Sequence, residues 1–355
     1  MKRAATIALA PLSLLYGAAV NIRSALYRNG IFKTQTVGVP VISVGNITTG
    51  GTGKTPLVEW IARRLAERGL RVCVLTRGYG RADSGKRVLV SDGNQILADI
   101  NQSGDEAMML ARYLLGSSAV VCDADRVAGA RWAIENLNSD VLILDDGFQH
   151  QRLARDLEIV TLDATNPWSN GWLLPAGRLR EPVSSLRRVD CFVITRAPRV
   201  DERLAEDVRR FSDAPIFFSK MVAFPTNGIW NTGPLDGCDS IVDKADLLKR
   251  PVAAFCGVGN PNAFFQQLRD EKIDVAVFES FRDHHKYSQT DIDRVTQKAL
   301  EAGAQVLVTT AKDAVKLASL RFTLPCYIVE IEMQIEEADR LLALIDEAIE
   351  AKNPD

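Results

Sequence analysis

Lys54 and Thr55 close a stretch with the residue types to hold phosphate: Val37 to Thr55 reads VGVPVISVGNITTGGTGKT. It begins apolar and β-branched, turns glycine-rich at Gly45, and leads into an amphipathic segment after Thr55. Strand, glycine loop and helix in that order are the parts of a P-loop. Glycine lets successive backbone N–H groups face the β- and γ-phosphates of a nucleotide, and the following helix offers unpaired N–H groups and its dipole. The predicted cradle is Thr48, Thr49, Gly50, Gly51, Thr52, Gly53, Lys54 and Thr55. Lys54 would balance phosphate charge, and the Thr55 hydroxyl would sit on Mg²⁺. One position departs from the strict pattern: Thr48 stands five residues before Gly53, where glycine is the rule. A glycine-rich turn that binds nothing is the plain alternative.

Other groups suit the same chemistry. Val141-Leu142-Ile143-Leu144-Asp145-Asp146 is an apolar strand ending in carboxylates, the arrangement that aims an acid at the Mg²⁺ of a P-loop enzyme. Gly147-Phe148-Gln149-His150 follow on the same edge. Ser103-Gly104-Asp105-Glu106 opens a helix. Its acids are either ordinary N-terminal charges or a general base near the P-loop. Thr76-Arg77-Gly78-Tyr79-Gly80 follows another buried strand, on the ligand edge of a parallel sheet. Asp283-His284-His285-Lys286-Tyr287 sits at a strand end, and two adjacent histidines behind an aspartate suggest a site. Asn166 to Arg188 has no clear periodicity but carries Arg178, Arg180 and Glu181; unstructured stretches of this length are usually functional, and arginines there could clamp phosphates.

The elements that must position these groups alternate as βα units, which predicts an α/β fold: a P-loop NTPase-type α/β/α core with a second, smaller α/β domain and an N-terminal amphipathic helix. At 355 residues the chain is long for one domain. The expected division is 1–35 for the N-terminal helix, 36–215 for the kinase-type core, 216–235 for a linker and 236–355 for the second domain. The last helix could pack back on the core. A net charge of −2 argues against a nucleic-acid binder, and no protein partner is evident. The six cysteines show no CxxC spacing, so buried, reduced thiols in a cytosolic protein are expected.

The N-terminus is acid-free up to Glu59, and Ala4 to Ile22 carries no charge. An export signal would waste a nucleotide site, and the run barely reaches the roughly 20 apolar residues of a membrane span. With Pro11 in the first turn and Asn29-Gly30 as the stop, Leu12, Leu15, Tyr16, Ala19, Ile22 and Leu26 share one face. Ser13, Gly17, Asn21, Ser24 and Arg28 lie opposite. A helix in the membrane interface fits this pattern; a helix packed on the protein's own core is the alternative.

The motifs GNITTGGTGKTP, TRGYG, SGDE, DDGFQH, LLPAGRLREP, FCGVGNP, FRDHHKY and TTAKDAVKL together resemble the tetraacyldisaccharide 4′-kinases, from the N-terminal helix to about Leu317. The resemblance implies ATP and Mg²⁺ as co-substrates, and a lipid A precursor, an acylated glucosamine disaccharide 1-phosphate, as acceptor. It implies peripheral attachment at the cytoplasmic face of the bacterial inner membrane. By motif match Asp105 would be the base for the sugar 4′-hydroxyl, His284 its dyad partner, and Lys54 and Arg77 further catalytic groups. Thr55, Asp145, Asp146 and Glu181 would serve the metal; Asn46, Glu106, Arg126, Gln149, Arg178 and Arg180 would bind substrate. Thr48 in the loop is usual for that family. Two rival classes are a GTPase switch, whose Asn-Lys-x-Asp signature the chain lacks, and a membrane protein that binds ATP and lipid without transfer.

Overall fold

The computed structural model describes residues 2–197, 199–228, 250–317 and 319–352. The first half runs α1 (Lys2–Arg28), β1 (Val41–Gly45), α2 (Lys54–Glu67), β2 (Val72–Thr76), β3 (Val88–Ser91), α3 (Ile100–Ser103), α4 (Asp105–Tyr113), β4 (Ala119–Cys122), α5 (Arg126–Leu137), β5 (Val141–Asp145), β6 (Leu157–Asp163), β7 (Cys191–Thr195), α6 (Glu202–Arg209) and β8 (Ile216–Gly228). The second runs β9 (Val252–Cys256), α7 (Pro261–Asp270), β10 (Val275–Ser280), α8 (Gln289–Glu301), β11 (Val306–Thr310), α9 (Ala311–Ala314), β12 (Cys326–Ile335) and α10 (Ala338–Lys352).

All the strands join one twelve-stranded sheet in the order β10-β9-β11-β12-β8-β7-β6-β1-β5-β2-β4-β3. Strands β1, β2, β4, β5 and β7 are buried along their whole length, as parallel strands covered on both faces must be. β1 lies between β5 and β6, so its C-terminal end opens at the switch point where such sheets bind ligands. Helix α2 covers one face with Leu57, Val58, Ile61, Ala62 and Leu65 buried at helical spacing. Each such large side chain contributes roughly 1.5–3 kcal/mol. The sequence reading missed β3, a four-residue antiparallel edge strand.

The segment expected as a linker, 216–235, is a strand as far as Gly228. Ile216–Phe218 pair with β7 in parallel, and Ser219–Gly228 pair antiparallel with β12. That ladder satisfies backbone groups a linker would have left open, and it makes the sheet continuous between the halves. Residues 229–235 lie outside the described residues, as does Cys238. The other five cysteines are free and buried. Burial pushes the Cys73, Cys122 and Cys256 thiols up to about 12. Helix α10 returns to the first half: Leu341 and Ile345 share a core with Ile42, Leu57 and Ile61, and Arg68 pairs with Asp346.

Helix α1 begins at Lys2, nine residues before the start placed at Pro11, which is instead inside the helix. Pro11 is on an exposed stretch, so the hydrogen bond its missing N–H forfeits leaves a carbonyl that water can reach. Packing does not follow the expected division of faces: Ser13 and Gly17 from the polar face turn to the protein, and so do Tyr16 from the apolar face and Val20. Ser13 Oγ donates to the Leu173 carbonyl at 2.9 Å and accepts from Ala176 N–H at 2.9 Å; Tyr16 OH donates to the Arg180 carbonyl at 2.9 Å. A Cβ on Gly17 would lie 2.7 Å from Leu173 Cδ1. The apolar face points away: Leu12 is 53% exposed, Leu15 69% and Ile22 60%. Thr6–Arg28 is apolar and long enough to cross a membrane, by length and composition alone, and little of it is buried.

Candidate active site

The loop after β1 turns into α2 at Gly53, whose left-handed backbone (φ 82°) caps the helix without a side chain. That positive φ favours glycine, and a Cβ there would also sit 2.6 Å from Met221 Cε and 3.0 Å from Thr195 Cγ2. Gly50 is the other loop residue with positive φ, at 117°. Thr48 is not among the positive-φ residues, so its side chain costs the loop nothing. Thr48 instead bridges to Leu179, and Thr49 N–H donates to the Arg178 carbonyl at 2.7 Å. The loop is held from inside by Asn46, which donates to Thr52 Oγ1 at 2.8 Å, and by Thr195 Oγ1, which donates to the Thr52 carbonyl at 2.9 Å.

This loop forms one wall of a cavity of about 600 Å³ lined by Thr49 through Pro56, Asp145, Asp146, Arg180, Glu106 and, from the second half, Asn260, Phe264, Asp283, His284 and Lys312. Lys54 Nζ lies 3.4 Å from Asp146 Oδ1, and Arg180 donates two nitrogens to the same carboxylate at 2.8 and 2.7 Å. Although burial opposes it, these cations hold Asp146 well below the usual carboxylate range. Asp145 is buried and accepts only a 3.1 Å bond from Thr76 Oγ1. Burial, with the charges of Asp146 and Glu106, pushes Asp145 up to about 6.

The residues fit a divalent cation. Asp145 is a buried carboxylate beside two others, has no ion pair of its own among the described residues, and stands by Thr55, which offers a hydroxyl at the same cavity wall. Mg²⁺ takes one or two carboxylates plus phosphate oxygens and water, a share that Asp145, Asp146 and Thr55 could supply.

Across the cavity, His284 Nδ1 lies 2.8 Å from Asp105 Oδ2. Gly104 makes this contact possible: it caps α4 at φ 82°, and a Cβ there would be 2.2 Å from the Tyr79 carbonyl oxygen. His284 itself has φ 59°, a strained backbone that costs on the order of 1–3 kcal/mol and clusters at functional sites. Burial raises the Asp105 pKa, but the His284 hydrogen bond and the charges of Lys312, His284 and Lys316 outweigh it, and the net shift is downward. The bond to Asp105 in turn raises His284.

Several predicted residues stand back from the cavity. Glu181 is fully buried, with both oxygens bound by Arg188 at 2.8 and 3.0 Å and Arg23 at 3.7 Å. Both oxygens face Arg188, and Glu181 does not line the cavity that holds Asp145 and Asp146. It anchors α1 instead. Arg77 is exposed, stacks on Tyr79 at 5.3 Å and does not line the cavity. Arg126 is buried and donates to the Asp123 carbonyl, with its charge acting on Asp145 and Asp146. Gln149 donates to the Asn46 carbonyl at 2.8 Å, and Asn46 Oδ1 accepts from Arg180, so both act behind the loop. Arg178 reaches over Gly50, where a Cβ would meet its Nη2 at 2.5 Å. The reading missed Lys312, which reaches Glu106 at 3.4 Å and Asp283 at 3.2 Å, and Lys316, 3.7 Å from Asp105. Two lysines four apart after a strand end were the available signal.

Residues 5–350 match the family described as tetraacyldisaccharide-1-P 4′-kinase. A tetraacyldisaccharide 4′-kinase of Geobacter metallireducens is 40% identical over 342 residues, covering 96% of this chain and 97% of that protein. One from Desulfotalea psychrophila is 38% identical over 322 residues, covering 89% of each. The crystal structure of LpxK from Aquifex aeolicus in complex with ATP superposes with a TM-score of 0.76 at 34% identity, covering 97% of this chain and 99% of that one. The chain belongs to the tetraacyldisaccharide-1-P 4′-kinase family.

Proposed function

We propose that this protein transfers the γ-phosphate of ATP to the 4′-hydroxyl of a tetraacyldisaccharide 1-phosphate lipid A precursor. The observation that carries the reading is the 2.8 Å contact between His284 and Asp105 across a cavity whose other wall is the P-loop. The 4′-oxygen attacks the γ-phosphorus, the bond from that phosphorus to the bridging oxygen breaks, and ADP leaves. The hydroxyl proton passes to the Asp105 carboxylate, which His284 supports. Loop N–H groups and Lys54 hold the phosphates, and Arg180 and Lys54 offset charge as it moves. Asp145, Asp146 and Thr55 would hold Mg²⁺. Bound there, the ion would neutralise charge on the phosphate oxygens.

The division into a P-loop lobe and a second lobe, with β8 and β12 as the shared seam, belongs to the same reading. So does peripheral attachment at the cytoplasmic membrane face through the exposed apolar stripe of α1. Anionic lipid would draw its basic residues, at about 1 kcal/mol each. The test is mass spectrometry of the lipid A precursor incubated with the protein and Mg·ATP. The expected product carries one added phosphoryl group, and an unchanged lipid beside bound nucleotide would instead mark a binding protein without transfer.

A further inference from the structure

Resting on the dyad reading above, we infer that Lys312 is a positioning residue for His284: it sits at the Nε2 side of the ring and holds the imidazole with its hydrogen on Nδ1, donated to Asp105. Lys312 Nζ lies 3.5 Å from His284 Nε2, while Nδ1 lies 2.8 Å from Asp105 Oδ2. An ammonium has donors only, so a neutral ring facing it must accept at Nε2 and carry its hydrogen on the other nitrogen. Asp283 Oδ2 is 3.8 Å from Nε2, beyond hydrogen-bond reach, and Asp283 Oδ1 accepts from Lys312 at 3.2 Å. Carboxylate, imidazole and ammonium thus stand in a line across the two halves of the sheet.

Lys312 is itself fixed from both sides. Glu106, next to Asp105 on α4, lies 3.4 Å from its Nζ, and Asp283 flanks it from the histidine loop. Although burial opposes it, the charges of Glu106, Asp105 and Asp283 raise the Lys312 pKa, so the group stays cationic. The groups facing His284 are therefore Asp105 and Glu106 from α4, Asp283 from its own loop and Lys312 from α9; Lys316 acts on Asp105. Asp105 and Asp283 favour the imidazolium, and Lys312 opposes it.

This arrangement assigns the proton step. The Asp105 carboxylate takes the hydroxyl proton on a free lone pair. His284, its Nδ1 already protonated, orients Asp105 and does not receive that proton. An imidazolium would grip the carboxylate harder and weaken it as a base, so Lys312 extends activity to lower pH by limiting how far Asp105 raises the ring.

The experiment is ¹⁵N spectroscopy of the full chain labelled at its three histidines, beside kcat–pH profiles of wild type, Lys312→Met and Lys312→Arg. In wild type above its titration, His284 should show an unprotonated Nε2 and a protonated Nδ1. Lys312→Met should move the His284 titration and the acid limb of kcat together to higher pH, with turnover recovering at alkaline pH; Lys312→Arg should keep both near wild type. A hydrogen on Nε2 in wild type overturns the inference, even if the methionine variant fails to fold. So does a His284 titration that Lys312→Met leaves unmoved. Unchanged kcat in His284→Ala would instead sink the dyad reading, while the ring's tautomer and titration still report on Lys312.

Discussion

Lys54 lies 3.4 Å from Asp146, which Arg180 also grips with two nitrogens. Removing Lys54 therefore leaves no unpaired buried charge, and Lys54→Ala should fold normally. Transfer should fall about 10²–10³-fold, the usual loss for one electrostatic contact to a developing charge. Parallel circular dichroism and phosphoryl-transfer assays check this, and a folded variant with wild-type turnover contradicts it. Asp105 and His284 act through one hydrogen bond, so their losses should not multiply. Each alanine variant should lower kcat by roughly 10²–10⁴-fold, with the double variant little worse than the worse single. ATP affinity, measured by calorimetry, should survive in all three. If Asp105→Ala instead abolishes Mg·ATP binding, the carboxylate belongs to the metal site.

Helix α1 is held by Ser13, Tyr16, Gly17 and Val20 and exposes Leu12, Leu15 and Ile22. Replacing Leu12, Leu15 and Ile22 together by serine should leave the fold intact, since all three are more than half exposed. Binding to anionic vesicles should weaken at least ~100-fold, given roughly 1.5–3 kcal/mol for each large apolar side chain that leaves the lipid. Gly17→Leu should act differently, because its Cβ already meets Leu173. It should loosen α1 from the 166–188 segment and expose backbone amides there to hydrogen exchange. Vesicle sedimentation of both variants separates the two faces; equal losses would mean that the helix has no lipid-facing side.

The His284–Asp105 bond joins the two halves of the sheet across the cavity, in addition to their shared strands. His284 is raised above its ordinary 6.5, so its share of the closure is complete below that pH and is lost as pH rises through the higher folded value. Asp105 is lowered below 3.8, so its share is present above that pH and is lost as pH falls through the lower folded value. Closure, read by energy transfer between labels on the two halves, should be tightest between pH 3.8 and 6.5 and loosen above it. Turnover should run the other way and rise with pH as the ring becomes neutral. A closure signal flat across this range would show that other contacts dominate. The C-terminal helix ties the second half of the chain to the P-loop core: Leu341→Ala should cost ~2–5 kcal/mol in a denaturant titration of the full chain and destabilise the P-loop half, whose core Leu341 shares.

The buried strands, the P-loop, the acids ending β5 and the amphipathic α1 were legible in the sequence because each is written in local spacing: period, glycine position or the end of an apolar run. Asp105 was legible as a base, with His284 as its partner, through the resemblance of the SGDE and DHH motifs and not through local spacing, because an acid at a helix start is ordinary until something lies against it. What lies against it is His284, 179 positions away, and no local pattern records a contact of that range. Glu181 was misplaced for the same reason; its neighbours Arg178 and Arg180 reach the loop and Asp146, while its own carboxylate turns to Arg188 and Arg23. The segment 216–235 was expected as a linker. The chain makes a strand up to Gly228 because β12 offers a ladder for it. Residue types and local spacing mark out the groups with the chemistry to move a phosphate. Which of them meet is fixed by folding, because hydrogen bonds and ion pairs depend on distances of about 3 Å that packing sets and sequence separation does not.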